Sequence, residues 1–257
     1  MANAAKWNKT PVDAKAFTYA GDALKKNWDA LHKGDNEAYP KEAGLQDAWR
    51  AFHAGDFASA AELGKGHTLA AKATAIYANH VEKKDAAKVK LFQDAMTLAV
   101  ALMKLQPKNA NAHYQYAYAA GRYSQSISVL KALKEGYGGK IKTALEVALK
   151  LDAKHADANT AFASYHAEIV DKVGGMIGKL TYGANKDDAV KYYEAAIKLN
   201  PQSPVAHIEY ANGLLMLFKD KEIDKATKLY EKAAKLKARD AMEALDIEIA
   251  VAELADE

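Results

Sequence analysis

Residues 187–201, DDAVKYYEAAIKLNP, constrain this chain more than any other stretch. Ala189, Tyr193 and Ala196 recur at offsets of four and three, so they share one helical face, and their small–large–small alternation lets a neighbouring helix approach closely. Pro201 lacks the N–H that another turn would need, so the helix must stop. The same phrase returns as Ala226, Tyr230 and Ala233 with Ala238 in the proline's place, and as Ile141, Leu145 and Ala148 with Ala153 there. A more worn copy reads Ala95, Ala99, Leu102, Pro107. One amphipathic phrase repeated at long intervals marks helical units that bury their apolar faces by stacking on one another. The expected fold is all-α.

The order alanine, aromatic, alanine, proline resembles the second helix of the tetratricopeptide repeat (TPR). AIKLNP is the cleanest copy, and ALKLDA keeps the leucine and aspartate without the proline. Pro107 to Ala153, Ala153 to Pro201 and Pro201 to Ala238 span 46, 48 and 37 residues, against about 34 for a standard unit. Two units are therefore oversized, and their extra residues fall between the two helices of each, around SQSISVLKALKEGYGG and DKVGGMIGKLTYGANK. This pair of inserts resembles the regulator of microtubule dynamics family and its bacterial relatives over residues 109–237. A more distant likeness is to the T component of tripartite periplasmic transporters. The resemblance implies a right-handed superhelix of stacked helix pairs with two long inter-helix inserts and a C-terminal capping helix. The expected organisation is a single helical-repeat domain over 1–257: an N-terminal helix in 1–43, two divergent repeats in 44–107, three repeats in 108–238, and the cap in 239–257.

Composition agrees. Half of the residues are apolar, and with only 5 prolines and 15 glycines the chain is neither disordered nor of low complexity. The absence of cysteine excludes disulfides and thiolate metal sites. Net charge is +3, carried by lysines scattered among acids, whereas a nucleic-acid groove needs a concentrated basic stripe. The opening residues lack the apolar run of a signal peptide, and no stretch reaches the roughly 18 apolar residues of a membrane span. A soluble, cytoplasmic protein without membrane insertion is expected, or a periplasmic one if a natural leader precedes Met1.

Along the chain, Thr10 and Pro11 read as a cap and a first-turn proline, predicting a helix over 11–33 with Ala20, Leu24, Trp28 and Leu31 inward and Gly34 as its left-handed stop. Gly55 and Asp56 make a turn, after which Phe57 and Ala60 pack back. Helices over 68–83 and 86–105 follow, with Lys83, Lys84 and Asp85 between them. In NANAHYQYAYAAGRY, His113, Tyr116, Ala117 and Ala120 fall on one face, and Asn111, Tyr114, Tyr118 and Arg122 on the other. Two tyrosines on an outer face suggest a groove lining. Tyr165, Glu168 and Ile169 take comparable positions in the next unit, and Ile208, Asn212, Leu215 and Met216 in the one after. In the inserts, Val129, Leu130, Leu133, Val173, Ile177 and Leu180 keep helical spacing, so both inserts should extend helices and pack on the stack or on another chain. In the cap, Leu245, Ile249 and Ala252 are expected to cover the last repeat while Glu243, Asp246, Glu248 and Glu253 meet water.

Chemistry is sparse. The eight histidines show no metal-ligand spacing. GGMIGKLT departs from a phosphate loop twice, with Val173 where the first glycine belongs and Leu180 after Lys179. No cofactor and no enzymatic activity are expected. The reading is an interaction scaffold whose concave groove holds a peptide or protein through Asn111, Tyr114, Tyr118, Arg122, Tyr165, Glu168, Ile208, Asn212 and Met216. Arg122 beside two tyrosines suits a carboxylate with an apolar body. The alternative is a carrier or transporter accessory for a small organic acid or lipid-like ligand, its groove closed by the inserts. Either reading is compatible with a homo-oligomer. Microtubule binding is not transferred, because no dense basic surface for an acidic filament is written in these residues.

Overall fold

The computed structural model describes residues 7–255 of the chain. Among these, every regular element is helical and no strand occurs. The chain runs α1 (Ala23–Leu31), α2 (Ala43–His53), α3 (Phe57–Leu63), α4 (Thr68–His80), α5 (Asp85–Leu105), α6 (Ala110–Ile127), α7 (Val129–Lys134) and α8 (Tyr137–Leu151). It continues through α9 (Ala156–Val173), α10 (Gly175–Ile177), α11 (Lys186–Leu199), α12 (Pro204–Phe218), α13 (Ile223–Ala234) and α14 (Ala241–Ala255). These helices form two compact units.

Of the described residues, the first unit holds 7–32, 36–152 and 239–242. Its consecutive helices pack each on the next from α2 through α6, and α6 then packs on α8. Gly55, at φ +86°, makes the turn ahead of α3, and Asp56 accepts the Ser59 N–H at 3.0 Å as its cap. Phe57 and Ala60 are buried as the pattern requires. Every residue of α4 from Thr68 to Ala78 is buried, so this helix is the unit's central rod. The aromatic core beneath it joins Trp28, Trp49, Phe52 and Phe57, with Trp28 and Trp49 edge to face at 5.5 Å.

The second unit holds residues 33–35, 153–238 and 243–255. Here α9 packs on α11 and α12, and α12 on α13. Ala189, Tyr193 and Ala196 are fully buried, and Tyr193 stacks on Tyr210 at 5.0 Å. Ala226, Tyr230 and Ala233 join Ile208, Ala211 and Ala250 in one apolar cluster. All four copies of the repeated phrase thus point inward, Ile141, Leu145 and Ala148 and Ala95, Ala99 and Leu102 included. The helices carrying three of them end two residues before Pro107, Ala153 and Pro201, and α13 ends four before Ala238.

Several local expectations are corrected. Residues 11–33 do not form one helix: a 3-10 turn at Ala14–Phe17, capped by Asp13, is separated from α1 by the extended Thr18 and by Gly21 at φ +53°, and the Thr10 hydroxyl bonds the Gly55 carbonyl at 2.5 Å instead of capping a helix. Ala20 is exposed as a result, while Leu24 and Trp28 are buried. The left-handed residue after α1 is Asn36, at φ +48°, not Gly34. Gly34 is needed for space, since a Cβ there would lie 2.3 Å from an Asp157 carboxylate oxygen. The inserts do lie between paired helices. The first is helical as α7, with Val129 and Ala132 buried. The second makes α10 and a single π-turn at Gly178–Tyr182 that rests on α9 through the buried Gly178, but Met176, Ile177 and Leu180 stand 78, 53 and 81% exposed, so these three side chains do not pack on the stack. In α14 the faces are partly reversed: Leu245 is buried, but so are Glu243 and Asp246, while Ile249 and Ala252 face out.

Candidate functional site

Asn109 starts α6 by accepting the Ala112 N–H at 3.2 Å, which sets the rotation of every side chain after it. On that helix Tyr114 and Tyr118 lie with ring centroids 6.2 Å apart, and the Arg122 guanidinium carbon sits 5.4 Å from the Tyr118 ring centre. This is a cation–π arrangement. Arg122 also donates through Nη1 to Gln125 Oε1 at 3.0 Å. Tyr118 and Arg122 are half-buried, so each keeps a surface to offer. Tyr114 is buried, and forms the floor beneath them.

Two residues absent from the sequence reading lie close by. His80 closes α4, and Lys88 lies on the first turns of α5, both half-buried. Burial pushes the His80 imidazole down to about 3, and the positive charges of Arg122 and Lys88 push it in the same direction. The ring is therefore neutral at physiological pH. Asn79 Nδ2 donates to its Nε2 at 3.1 Å, which leaves the ring proton on Nδ1. His80 on α4, Lys88 on α5 and Arg122 on α6 thus lie near enough for both cations to act on the ring. No spacing in the sequence signals this, because α4, α5 and α6 bring them together only in three dimensions.

The remaining predicted site residues sit as follows. Asn111 is not on an outer face: it is buried, and its amide donates to Glu37 Oε2 at 3.0 Å, an oxygen that also accepts from Thr68 at 2.8 Å. It fastens the segment after α1 to α4 and α6. In the second unit, Tyr165 is buried and its hydroxyl donates to the Tyr182 carbonyl at 3.1 Å, tying the second insert down. Ile208 lies inside the apolar cluster and has no outer face. Asn212 accepts the Tyr230 hydroxyl proton. Glu168 and Met216 are half-buried. Of the nine residues, Tyr114, Tyr118 and Arg122 are adjacent on one helix. Asn111, Tyr165, Ile208 and Asn212 serve packing or internal hydrogen bonds, for the reason that a helix in a stack has neighbours on more than one side.

Among the described residues no group of three or more histidine, aspartate or glutamate side chains is placed to hold a metal ion. No described helix is long and apolar enough to cross a membrane. A comparison with curated proteins finds no match. The family described as Regulator of microtubule dynamics protein 1-3 matches residues 26–249, which takes in both inserts, all four copies of the repeated phrase and the helices ahead of them. The chain belongs to the regulator of microtubule dynamics protein 1-3 family.

Proposed function

We propose that this chain is a non-enzymatic interaction scaffold of tetratricopeptide-like helix pairs that holds an acidic group of a peptide or protein partner at Arg122. The observation that carries this reading is a guanidinium over the Tyr118 ring, with the Tyr114 ring next along the same helix. A carboxylate binding there meets a guanidinium and an aromatic wall for the apolar body next to it. Membership of the family and the helical fold are compatible with a scaffold, since stacked helix pairs offer extended surface. Filament binding is not part of the proposal, because a net charge of +3 spread through mixed-sign helices supplies no strong attraction to an acidic polymer.

The test is fluorescence anisotropy with a labelled peptide ending in Asp-Glu-Glu and a free C-terminus, against its C-amidated Gln-Gln-Gln counterpart. Arg122→Ala is expected to weaken the acidic peptide by about 1.5–3 kcal/mol, the worth of a charge-assisted hydrogen bond, with the melting temperature nearly unchanged. A variant that melts lower but binds as well as the parent makes Arg122 structural and removes the site. Saturable binding of free glutarate without any binding of the peptide turns the reading to a small-acid carrier.

A further inference from the structure

The second insert holds apolar side chains out in water on a backbone that is itself fixed. Met176, Ile177 and Leu180 are its exposed apolar residues. The segment leaves α9 through Gly174 at φ +81° and reaches α11 through Gly183 at φ +66°, with helical turns between them. Gly178 is buried against α9, where a Cβ would lie 3.5 and 3.6 Å from the Cγ2 atoms of Ile169 and Val170. The Ala184 N–H donates to the Gly178 carbonyl at 2.9 Å, the Tyr165 hydroxyl to the Tyr182 carbonyl at 3.1 Å, and the Asn185 N–H to His166 Nδ1 at 3.2 Å. Helical geometry puts Met176 and Leu180 one turn apart on the side away from Gly178, with Ile177 beside them. The charge in the insert is of one sign: residues 172–186 contain Lys172, Lys179 and Lys186 and no acid. Lys179, between Ile177 and Leu180, is exposed. The flanking acids are already engaged. Asp171 is held by Lys172 at 3.0 Å and Lys219 at 2.7 Å, three charges that sum to +1, and Asp187 and Asp188 lie in the first turn of α11, where they answer its helix dipole.

We infer that the second insert docks on an anionic bilayer surface, with Met176, Ile177 and Leu180 dipping below the headgroups while Lys172, Lys179 and Lys219 meet the lipid phosphates. The inference goes beyond the acidic-peptide reading and does not depend on Arg122. Exposed apolar side chains held outward mark a contact surface, and the charge around them selects what covers it. A second copy meeting the same face across a twofold axis would bring Lys179 against Lys179, with no acid on either insert to answer it. A folded protein partner needs roughly 800 Å² from each side, more than three side chains supply. A bilayer sets no such requirement of area or shape: it accepts a small apolar tip at the boundary of headgroups and acyl chains, and its anionic headgroups attract the lysines. Lys179 sits between two of the apolar residues, so its four-carbon stem follows them inward while the ammonium stays at the phosphates. Because the backbone is already held, docking costs little conformational entropy. The contact is peripheral, in keeping with the absence of a membrane-crossing helix among the described residues.

The chain has no cysteine, so Leu180→Cys in the full-length protein carries a single environment-sensitive NBD dye. With vesicles of equimolar phosphatidylglycerol and phosphatidylcholine, the dye's emission should rise and shift to the blue, and the unlabelled parent should sediment with the vesicles. Phosphatidylcholine alone should produce neither effect. Lys179→Gln is expected to weaken binding to the anionic vesicles about fivefold, and added salt to weaken it further. Met176→Asp combined with Leu180→Asp should weaken it by more than about tenfold. Both side chains stand in water, so the double variant should melt with the parent, which separates lost docking from lost folding. Binding unchanged in the double variant, or equally strong on neutral vesicles, overturns the inference. So does an absence of binding to either vesicle; if a dimer seen by sedimentation velocity then dissociates in the double variant, the insert's occupant is a second copy of the chain.

Discussion

Tyr193 is the clearest case of what single residues decide. Its burial was legible from the alanine–tyrosine–alanine phrase, but the groove that receives it was not. A Cβ on Gly213 of α12 would lie 2.4 Å from the Tyr193 ring, so only glycine allows α11 and α12 their approach. The Tyr193 hydroxyl then meets Ser164 at 3.0 Å, and Ser164 donates to Glu209 at 2.9 Å, so the ring is held at both ends. Gly213→Ala is expected to cost about 1–3 kcal/mol through overpacking, read as a lower urea midpoint. A substitution without effect would mean that the helices separate freely. The sequence reading of α6 errs at this same scale. Helical geometry correctly separates Asn111 and Tyr114 from His113 and Ala117, but both faces are buried, since α4 and α5 lie on one side and α8 on another.

At the scale of elements, side-chain caps place the helices that open each pair. Asn109, His155 and Ser203 all accept a backbone N–H three residues on, at 3.2, 3.1 and 3.3 Å. Asn185 does the same for α11 at 2.8 Å, and its amide also donates to Asp188 at 2.6 Å, a reciprocal cap at the point where the second insert ends. Removing it with Asn185→Ala should cost about 1–2 kcal/mol, seen as a shifted urea midpoint at unchanged slope; Asn185→Ser should recover most of the loss. The inserts show how far periodicity reaches. Both keep helical spacing and both turn helically, but α7 seats Val129 and Ala132 whereas the second insert turns Met176 and Leu180 outward. Spacing specifies a shared face and does not specify what that face meets. In α14 the apolar stripe was assigned to Leu245, Ile249 and Ala252, yet Glu243 and Asp246 are buried and engaged in polar or charge interactions. An acid is buried wherever partners from other segments receive it, and those partners are invisible in a single helix.

For the whole molecule, the first unit is closed by a segment from far along the chain. Asp240 meets the buried His53 at 2.9 Å across 187 residues, and Arg239 donates to the Ala30 carbonyl at 2.6 Å. Tyr19 in turn donates to the Arg239 carbonyl. Acid should loosen the fold through two other histidines. Burial, reinforced by cationic neighbours, lowers His80 to about 3, and burial with the nearby Lys232 lowers His207 to about 4. A base whose folded pKa lies below its unfolded value binds more protons when unfolded, so stability falls as pH drops below about 6.5 and goes on falling toward the folded values. Between pH 7 and pH 5 the loss is on the order of 2–4 kcal/mol for the pair, at about 1.4 kcal/mol per pKa unit. Urea denaturation at stepped pH checks this. His207→Asn should flatten the slope above pH 5, a window that opens before the carboxylates protonate.

The helical class, the four inward-facing phrases, the place of both inserts and the family were all within reach of the residues alone. The first three rest on period and spacing, which local backbone geometry converts directly into a shared face, and the family on the resemblance of the paired inserts. The pairing of Gly213 with Tyr193, the burial of Asn111 and Ile208, the reach of Asp240 to His53, and the action of Lys88 and Arg122 on His80 were decided by tertiary structure. The physical reason is the same in each case. A side chain's face is set by its own helix, whereas its environment, and so its charge, its partners and its use, is set by helices tens of residues away.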